Sequence, residues 1–147
     1  NQMHAACAEL RLGGRVDERV NVTNEQLRAL YSRAEALLFP SLAEGFGWPI
    51  AEAQACGCPV VTSNRPPMTE VGGEAAIYVD PDDLTEAARL VAKALTERTR
   101  WCAAGRENVG RFSTHAMIEG YLQCYVAAAG SVAEAASGLE SNASGPQ

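Results

Sequence analysis

Residues 39–61 constrain the fold more than any other stretch of this 147-residue sequence. A short apolar run at residues 35–39 has the length of a strand, and a second apolar run begins at residue 60. Between them, Pro49 stands where the first turn of a helix accommodates proline, and Gly57 is typical of a residue that ends a helix. Two strands joined by a helix predict a parallel pair with a right-handed crossover.

The loop between the first strand and the helix carries groups that can bind a ligand. Open α/β sheets bind ligands beyond the carboxyl ends of their strands, and this loop is at such an end. Gly45 and Gly47 let the backbone adopt positive φ angles and approach a ligand closely. The free N–H groups at a helix start attract an anion, while the carboxylates of Glu44 and Glu52 accept hydrogen bonds from a diol. This combination predicts a sugar-nucleotide site, although glycine loops and acidic helix starts also occur without any ligand.

The segment from Glu44 to Glu52 resembles the motif of two glutamates separated by seven residues in retaining glycosyltransferases of family 4, which have the GT-B architecture. The resemblance extends over residues 16–125 and implies an α/β fold. It implies a Rossmann-like parallel sheet with helices on both faces, which would be a partial carboxyl-terminal half of a GT-B fold. The flanking residues that match the family are Leu30-Tyr31, Phe39-Pro40-Ser41, Cys56-Gly57, Pro59-Val60-Val61, Glu70-Val71-Gly72 and Val79-Asp80-Pro81.

The resemblance also implies roles for individual residues. Glu52 is expected to hold the ribose hydroxyls, and Glu44 is expected to lie against the donor sugar as the catalytic residue. The donor is a UDP- or GDP-sugar, and no metal or other cofactor is expected, because the helix dipole and cationic side chains replace it. The residues whose backbone amides are expected to face the sugar and diphosphate are Gly45, Phe46, Gly47 and Trp48.

Three of the candidate residues have equally simple structural interpretations. Val22 and Thr23 are candidate neighbours of the nucleobase, but they also suit a strand and a helix cap. Thr23 and Gln26 match a capping box, in which each side chain bonds the other residue's backbone N–H. Trp48 stands where the family more often has a smaller apolar residue, so its interpretation as a core-filling aromatic is favoured.

The predicted elements alternate between strands and helices, which favours a parallel sheet. The four predicted strands cover residues 16–22, 35–39, the run from residue 60, and 76–79. The family's domain has six strands, so we expect residues 1–129 to be a donor-binding domain that lacks its first strands. Residues 130–147 lack apolar periodicity and predict a disordered tail.

The sequence departs from the family in its cations. The resemblance implies an Arg and a Lys, early in the domain, that bind the diphosphate. No residue of this sequence is matched to either of them. Lys93, the only lysine, falls in the middle of a predicted helix, and Arg15 is interpreted as a turn residue. We therefore expect this chain alone to be inactive and to need an amino-terminal acceptor domain of the same protein.

The net charge and the cysteine content argue against several classes of partner and site. A net charge of −6 argues against nucleic acid as a partner. Five cysteines, an odd number, do not suit a disulfide framework, and the two histidines do not complete a zinc site. We expect a cytoplasmic protein, with a peripheral membrane position through the acceptor domain and a membrane-associated acceptor left open.

The alternative function is a non-catalytic nucleotide-binding or regulatory α/β module. The absence of a residue that matches the family's diphosphate-binding Arg or Lys favours this alternative. A phosphorylase using pyridoxal phosphate would need a suitably placed lysine.

Overall fold

The computed structural model describes the backbone of residues 2–142 and the side chains of residues 4–130. Its centre is a sheet of three parallel strands in the order β1-β2-β3. The strands are β1 (Leu37–Phe39), β2 (Val60–Ser63) and β3 (Ile77–Val79). The helices are α1 (Gln2–Glu9), α2 (Asn24–Arg33), α3 (Trp48–Ala55), α4 (Met68–Gly72), α5 (Leu84–Thr96), α6 (Arg98–Asn108) and α7 (Thr114–Asn142), with 3₁₀ turns at Gly73–Ala75 and Val109–Phe112.

Helices cover both faces of this sheet. Successive residues of a strand point to opposite faces, so Val60 packs against α3 and Val61 packs beneath α5 and α6. All four residues of β2 are buried, as expected for the central strand of a parallel sheet. The predicted fold class and the crossover from β1 through α3 to β2 are therefore confirmed.

The predicted strand at residues 16–22 is wrong, and the described sheet has three strands. This segment is irregular and largely exposed, with Val20 exposed to 74%. Asn21 has a φ of 55°, which lies outside the strand region, and Arg19 Nε donates to its near neighbour Asp17 over 2.8 Å. A strand is stabilised by a hydrogen-bonded neighbour, and this segment pairs with none of the strands of the described sheet.

Helix α7 begins after Ser113, whose hydroxyl accepts a hydrogen bond from the backbone N–H of Ala116 over 3.2 Å. The predicted cap at Ser113 is thus confirmed. The helix continues to Asn142, through residues for which the sequence predicts disorder. The rest of the predicted tail, residues 143–147, lies outside the described residues. None of the helices described here is both long and apolar enough to cross a bilayer.

Candidate functional site

Two buried hydroxyls of β2 bond the chain where β1 ends and the next loop begins. The Thr62 hydroxyl donates to the carbonyl oxygen of Phe39 over 2.7 Å, and the Ser63 hydroxyl donates to the carbonyl oxygen of Ser41 over 2.6 Å. Both donors are completely buried. Both bonds satisfy carbonyls at the point where the chain leaves the sheet: the bond from Thr62 holds the end of β1, and the bond from Ser63 fixes the start of the loop to the central strand.

Glu44 lies on this loop with an exposed side chain. The Ser41 hydroxyl is 2.7 Å from Glu44 Oε1 and 3.2 Å from the carbonyl oxygen of Ala43. The shorter distance is in the range of a hydrogen bond between a hydroxyl and a charged carboxylate. Among the described residues no hydrogen bond occupies Glu44 Oε2, which is therefore available to a ligand.

The two loop glycines differ in conformation. Gly47 has a φ of 96° and is the residue that precedes α3, so the prediction of a left-handed glycine is confirmed there. Gly45 does not have a positive φ, and a Cβ at Gly45 would meet no atom within 4 Å, so the conformational freedom of glycine is not used there. No side chain caps α3, and within the described part of the chain no hydrogen bond occupies the N–H groups of Gly45, Phe46 or Gly47. These three donors are therefore unused within the described residues; Gly45 is exposed and Phe46 is half-buried, whereas Gly47 is buried.

An aromatic group borders these amides. The Phe46 ring lies 4.7 Å from the Trp48 ring and 5.6 Å from the Phe112 ring, measured between centroids, and it meets Phe112 edge-on. Trp48 is 62% exposed, so its interpretation as a core-filling residue is wrong. Phe46 and Phe112 are half-buried and pack against the core, and Trp48 presents its indole at the surface.

Glu52 lies on the exposed side of α3, opposite the buried Ile50 and Ala53. It borders a groove of about 460 Å³ between α3 and α2, together with Arg28 and Tyr31. The Tyr31 hydroxyl donates to Glu52 Oε2 over 3.4 Å, a long hydrogen bond. Burial, followed by the nearby charge of Glu52, raises the pKa of Tyr31 to about 12, so the phenol remains a donor at neutral pH.

The two candidate neighbours of a nucleobase lie at the start of α2. Thr23 forms the predicted capping box: its hydroxyl accepts from the N–H of Gln26 over 3.3 Å, and its N–H donates to Gln26 Oε1 over 2.8 Å. Its neighbour Asn24 lines the groove of Glu52, whereas Val22 lines a separate groove of about 700 Å³ beside β1. The structure thus places the start of α2 beside Glu52 but does not place Val22 in the same groove.

Sequence reasoning missed a buried polar network that holds the end of α3. The Gln54 amide donates to the carbonyl oxygen of Ala75 over 3.0 Å and accepts from Asn108 Nδ2 over 2.7 Å. Asn108 Nδ2 also lies 2.8 Å from the carbonyl oxygen of Val71, and Arg111 Nε donates to Asn108 Oδ1 over 2.9 Å. Because Gln54 and Asn108 are 54 positions apart, no local pattern signals this contact.

Cations are sparse near the two glutamates. Arg28, in the groove of Glu52, has no ion pair within the described part of the chain. Arg15 lies in a turn, as predicted, and Lys93 is exposed on α5. Over the same described residues, no cluster of three or more His, Cys, Asp or Glu side chains could hold a metal ion.

Comparison with known proteins gives consistent matches. The family model described as "Glycosyl transferases group 1" matches residues 1–120. O-antigen chain mannosyltransferase B of Escherichia coli is 41% identical over 76 residues, which are 52% of this chain and 20% of that protein. O-antigen chain mannosyltransferase RfbU of Salmonella typhimurium is 44% identical over 75 residues, 51% of this chain and 21% of that protein. The chain therefore matches about a fifth of the length of these two curated relatives.

A solved structure shares the fold. Sucrose-phosphate synthase from Thermosynechococcus elongatus superposes with a TM-score of 0.73 and 28% sequence identity, over 87% of this chain and 34% of that chain. Together with the family match, this likeness supports the prediction that the parallel sheet and its helices are part of a GT-B glycosyltransferase fold.

Proposed function

This chain belongs to the glycosyl transferases group 1 family, and we propose that it is the donor-binding part of an enzyme that moves a sugar from a nucleotide sugar to an acceptor hydroxyl. The observation that carries the proposal is the arrangement around the start of α3. Glu44 precedes this helix start, Glu52 follows it, and the free amides of residues 45–47 lie between them in the chain. One short segment therefore offers acceptors for sugar hydroxyls on both sides of donors for an anion.

Each part of this segment suits one part of a nucleotide sugar. Glu52, in the groove beside α2, accepts from the two ribose hydroxyls. The free amides of Gly45, Phe46 and Gly47, together with the positive end of the α3 dipole, face the diphosphate. As the bond to the sugar breaks, negative charge develops on the leaving diphosphate, and amides already held in place stabilise that charge. No metal ion is required for this step.

Glu44 serves the donor sugar. Its Oε1 accepts from Ser41, and its Oε2 has no hydrogen bond among the described residues, so this oxygen can accept from a sugar hydroxyl. The spacing of Glu44 and Glu52 is that of retaining enzymes of family 4, and we extend retention at the anomeric carbon to this protein. The acceptor is held by a part of the protein outside this chain, in keeping with the small share of its relatives that the chain covers.

Mannose is the first sugar to test, because both relatives named above are mannosyltransferases. The test uses the full-length protein with radiolabelled UDP- and GDP-sugars, mannose and glucose donors side by side, and simple alkyl glycosides as acceptors. We expect release of the nucleoside diphosphate and a product that keeps the anomeric configuration of the donor, as read by NMR.

Matched variants make the test specific to the site. Glu52→Gln should weaken donor binding, whereas Glu107→Gln, which changes an exposed carboxylate of α6, should bind and turn over as the unaltered protein does. The proposal is contradicted if no nucleotide sugar is consumed and no nucleoside diphosphate raises the melting temperature. At a hundred times its Kd, a bound nucleotide adds about 2.7 kcal/mol to stability, which a thermal shift would detect.

A further inference from the structure

We propose that Ser41 and Ser63 are positioning residues for Glu44, acting through two hydrogen bonds that connect buried strand β2 to the exposed carboxylate. The inference rests on the proposed function, because Glu44 must serve the donor sugar for its orientation to affect turnover. It assigns a role to two hydroxyls that contact no substrate themselves.

The first connection lies between β2 and the loop. Ser63 is the last residue of the central strand and is completely buried. Its hydroxyl donates to the carbonyl oxygen of Ser41 over 2.6 Å. A buried hydroxyl with one short bond has few alternative orientations, so the backbone at Ser41 is held at a fixed position relative to the sheet.

The second connection lies between Ser41 and Glu44. The Ser41 hydroxyl has a single proton and two acceptors within reach, Glu44 Oε1 at 2.7 Å and the Ala43 carbonyl at 3.2 Å. The charged and nearer acceptor makes the stronger bond. This bond uses one oxygen of Glu44 and leaves the other for the ligand, and it gives the carboxylate a preferred orientation.

Glu44 needs such a restraint more than most site residues do. It lies in a loop without regular structure, and its side chain and that of Leu42 are exposed. An exposed glutamate samples several side-chain rotamers, and ordering it costs entropy at the moment of reaction. When a hydrogen bond already orients the side chain in the folded protein, the entropy of ordering it is lost on folding and not during the reaction.

Thr62 is a matched control within the same strand. Its hydroxyl is also completely buried, and it donates to a backbone carbonyl, that of Phe39, over 2.7 Å. This bond holds the end of β1 and makes no connection to Glu44. Thr62→Val removes the hydroxyl while keeping the side chain's shape, so it reports the general cost of losing one buried bond beside the loop.

The experiment measures turnover of the full-length enzyme with a radiolabelled nucleotide sugar. For Ser41→Ala we expect kcat to fall about tenfold, the effect of one lost hydrogen bond to a charged group, while KM for the donor changes by less than about twofold. Ser41→Thr, which keeps a hydroxyl, should restore most of kcat. Ser63→Ala should lower kcat in the same direction, and Thr62→Val should leave it within about twofold.

A double-mutant cycle separates positioning from a general structural role. If Ser41 acts through Glu44, Ser41→Ala should have no further effect on the residual turnover of Glu44→Ala. An equal loss in both backgrounds, or equal turnover for Ser41→Ala and Thr62→Val, overturns the inference. Should Ser63→Ala fail to fold, the Ser41 variants and the cycle still decide the question. An unaltered enzyme that consumes no nucleotide sugar overturns the proposed function and the inference with it, whereas an active enzyme that is indifferent to Ser41 overturns only the inference.

Discussion

The two carboxylates of the site, Glu44 and Glu52, are supported in different ways. Glu44 lies on an irregular loop, and a short hydrogen bond from Ser41 orients it. Glu52 lies on α3, whose opposite side is buried in the core through Ile50 and Ala53, and its own hydrogen bond, from Tyr31, is long at 3.4 Å. The position of Glu44 therefore depends on a few hydroxyls, and the position of Glu52 depends on the packing of a helix.

This difference suits the two proposed roles. Ribose binding requires a carboxylate held firmly relative to the groove between α2 and α3, which a packed helix provides. A group that meets the reacting sugar must fit a charge distribution that changes during the reaction, and a hydrogen bond can orient it without burying it. The comparison predicts that changes at Glu44 alter turnover and that changes at or beneath Glu52 alter nucleotide binding or stability.

Glu44→Ala gives the largest expected effect. In the full-length enzyme we expect kcat to fall about a thousandfold, or about 4 kcal/mol, since an interaction made with the reacting sugar is lost. Binding of the bare nucleoside diphosphate, measured by calorimetry, should change by less than about twofold because Glu44 does not contact it. Equal losses for the sugar nucleotide and the bare nucleotide would instead make Glu44 a general anchor of the loop.

Ile50→Ala tests the helix that supports Glu52. Ile50 is completely buried, so its truncation should leave a cavity and lower the free energy of unfolding by about 3 kcal/mol. Chemical denaturation measures this loss. The control is Leu84→Ala on α5, where a side chain that is 77% exposed should cost less than about 0.5 kcal/mol. Similar costs at the two positions would show that α3 is not packed as described.

Glu52→Gln should act mainly on the nucleotide. It keeps the size of the side chain but replaces one acceptor oxygen with a donor, so one ribose hydroxyl loses its partner. We expect nucleoside diphosphate affinity to weaken by about thirtyfold, or about 2 kcal/mol, with little change in stability because the side chain is exposed. Calorimetry that showed unchanged affinity would contradict the assignment of ribose to Glu52.

Tyr31→Phe gives the smallest expected effect. The hydrogen bond from Tyr31 to Glu52 is long, so its loss should weaken nucleotide binding by less than about threefold. The pKa of Tyr31 is raised from 10.0 to about 12, and the stability that this shift provides is present below pH 10 and is lost as the pH rises towards 12. Absorbance titration of tyrosinate should show one high-pH transition fewer in Tyr31→Phe. Nucleotide binding reduced as strongly as by Glu52→Gln would show that Tyr31 contacts the ligand itself.

Local chemistry made several features predictable from the sequence. The capping box of Thr23 and Gln26, the helix start at Pro49 and the glycine at position 57 each depend on residues a few positions apart. Gly57 has a φ of 72°, a backbone conformation that favours glycine. The spacing of Glu44 and Glu52 predicts a role for both carboxylates, and these roles stay predictions.

Features that depend on distant partners could not be predicted. The apolar pattern of residues 16–22 suits a strand, but a strand requires a neighbour, and the sequence does not say whether one is present. The contact of Gln54 with Asn108 and the bond from Ser63 to Ser41 join residues 54 and 22 positions apart. Gly45 is a similar case, because a glycine permits a positive φ but does not require one, and the sequence does not say which conformation it adopts.

The most direct test of the account is a crystal structure of the full-length protein with an intact nucleotide sugar bound. We expect both ribose hydroxyls to donate to Glu52 and the diphosphate to lie at the amides of residues 45–47. We expect the sugar to contact Glu44 Oε2 while Ser41 keeps its bond to Oε1. A donor bound away from the start of α3, or one whose ribose contacts Glu44 and whose sugar contacts Glu52, would contradict it.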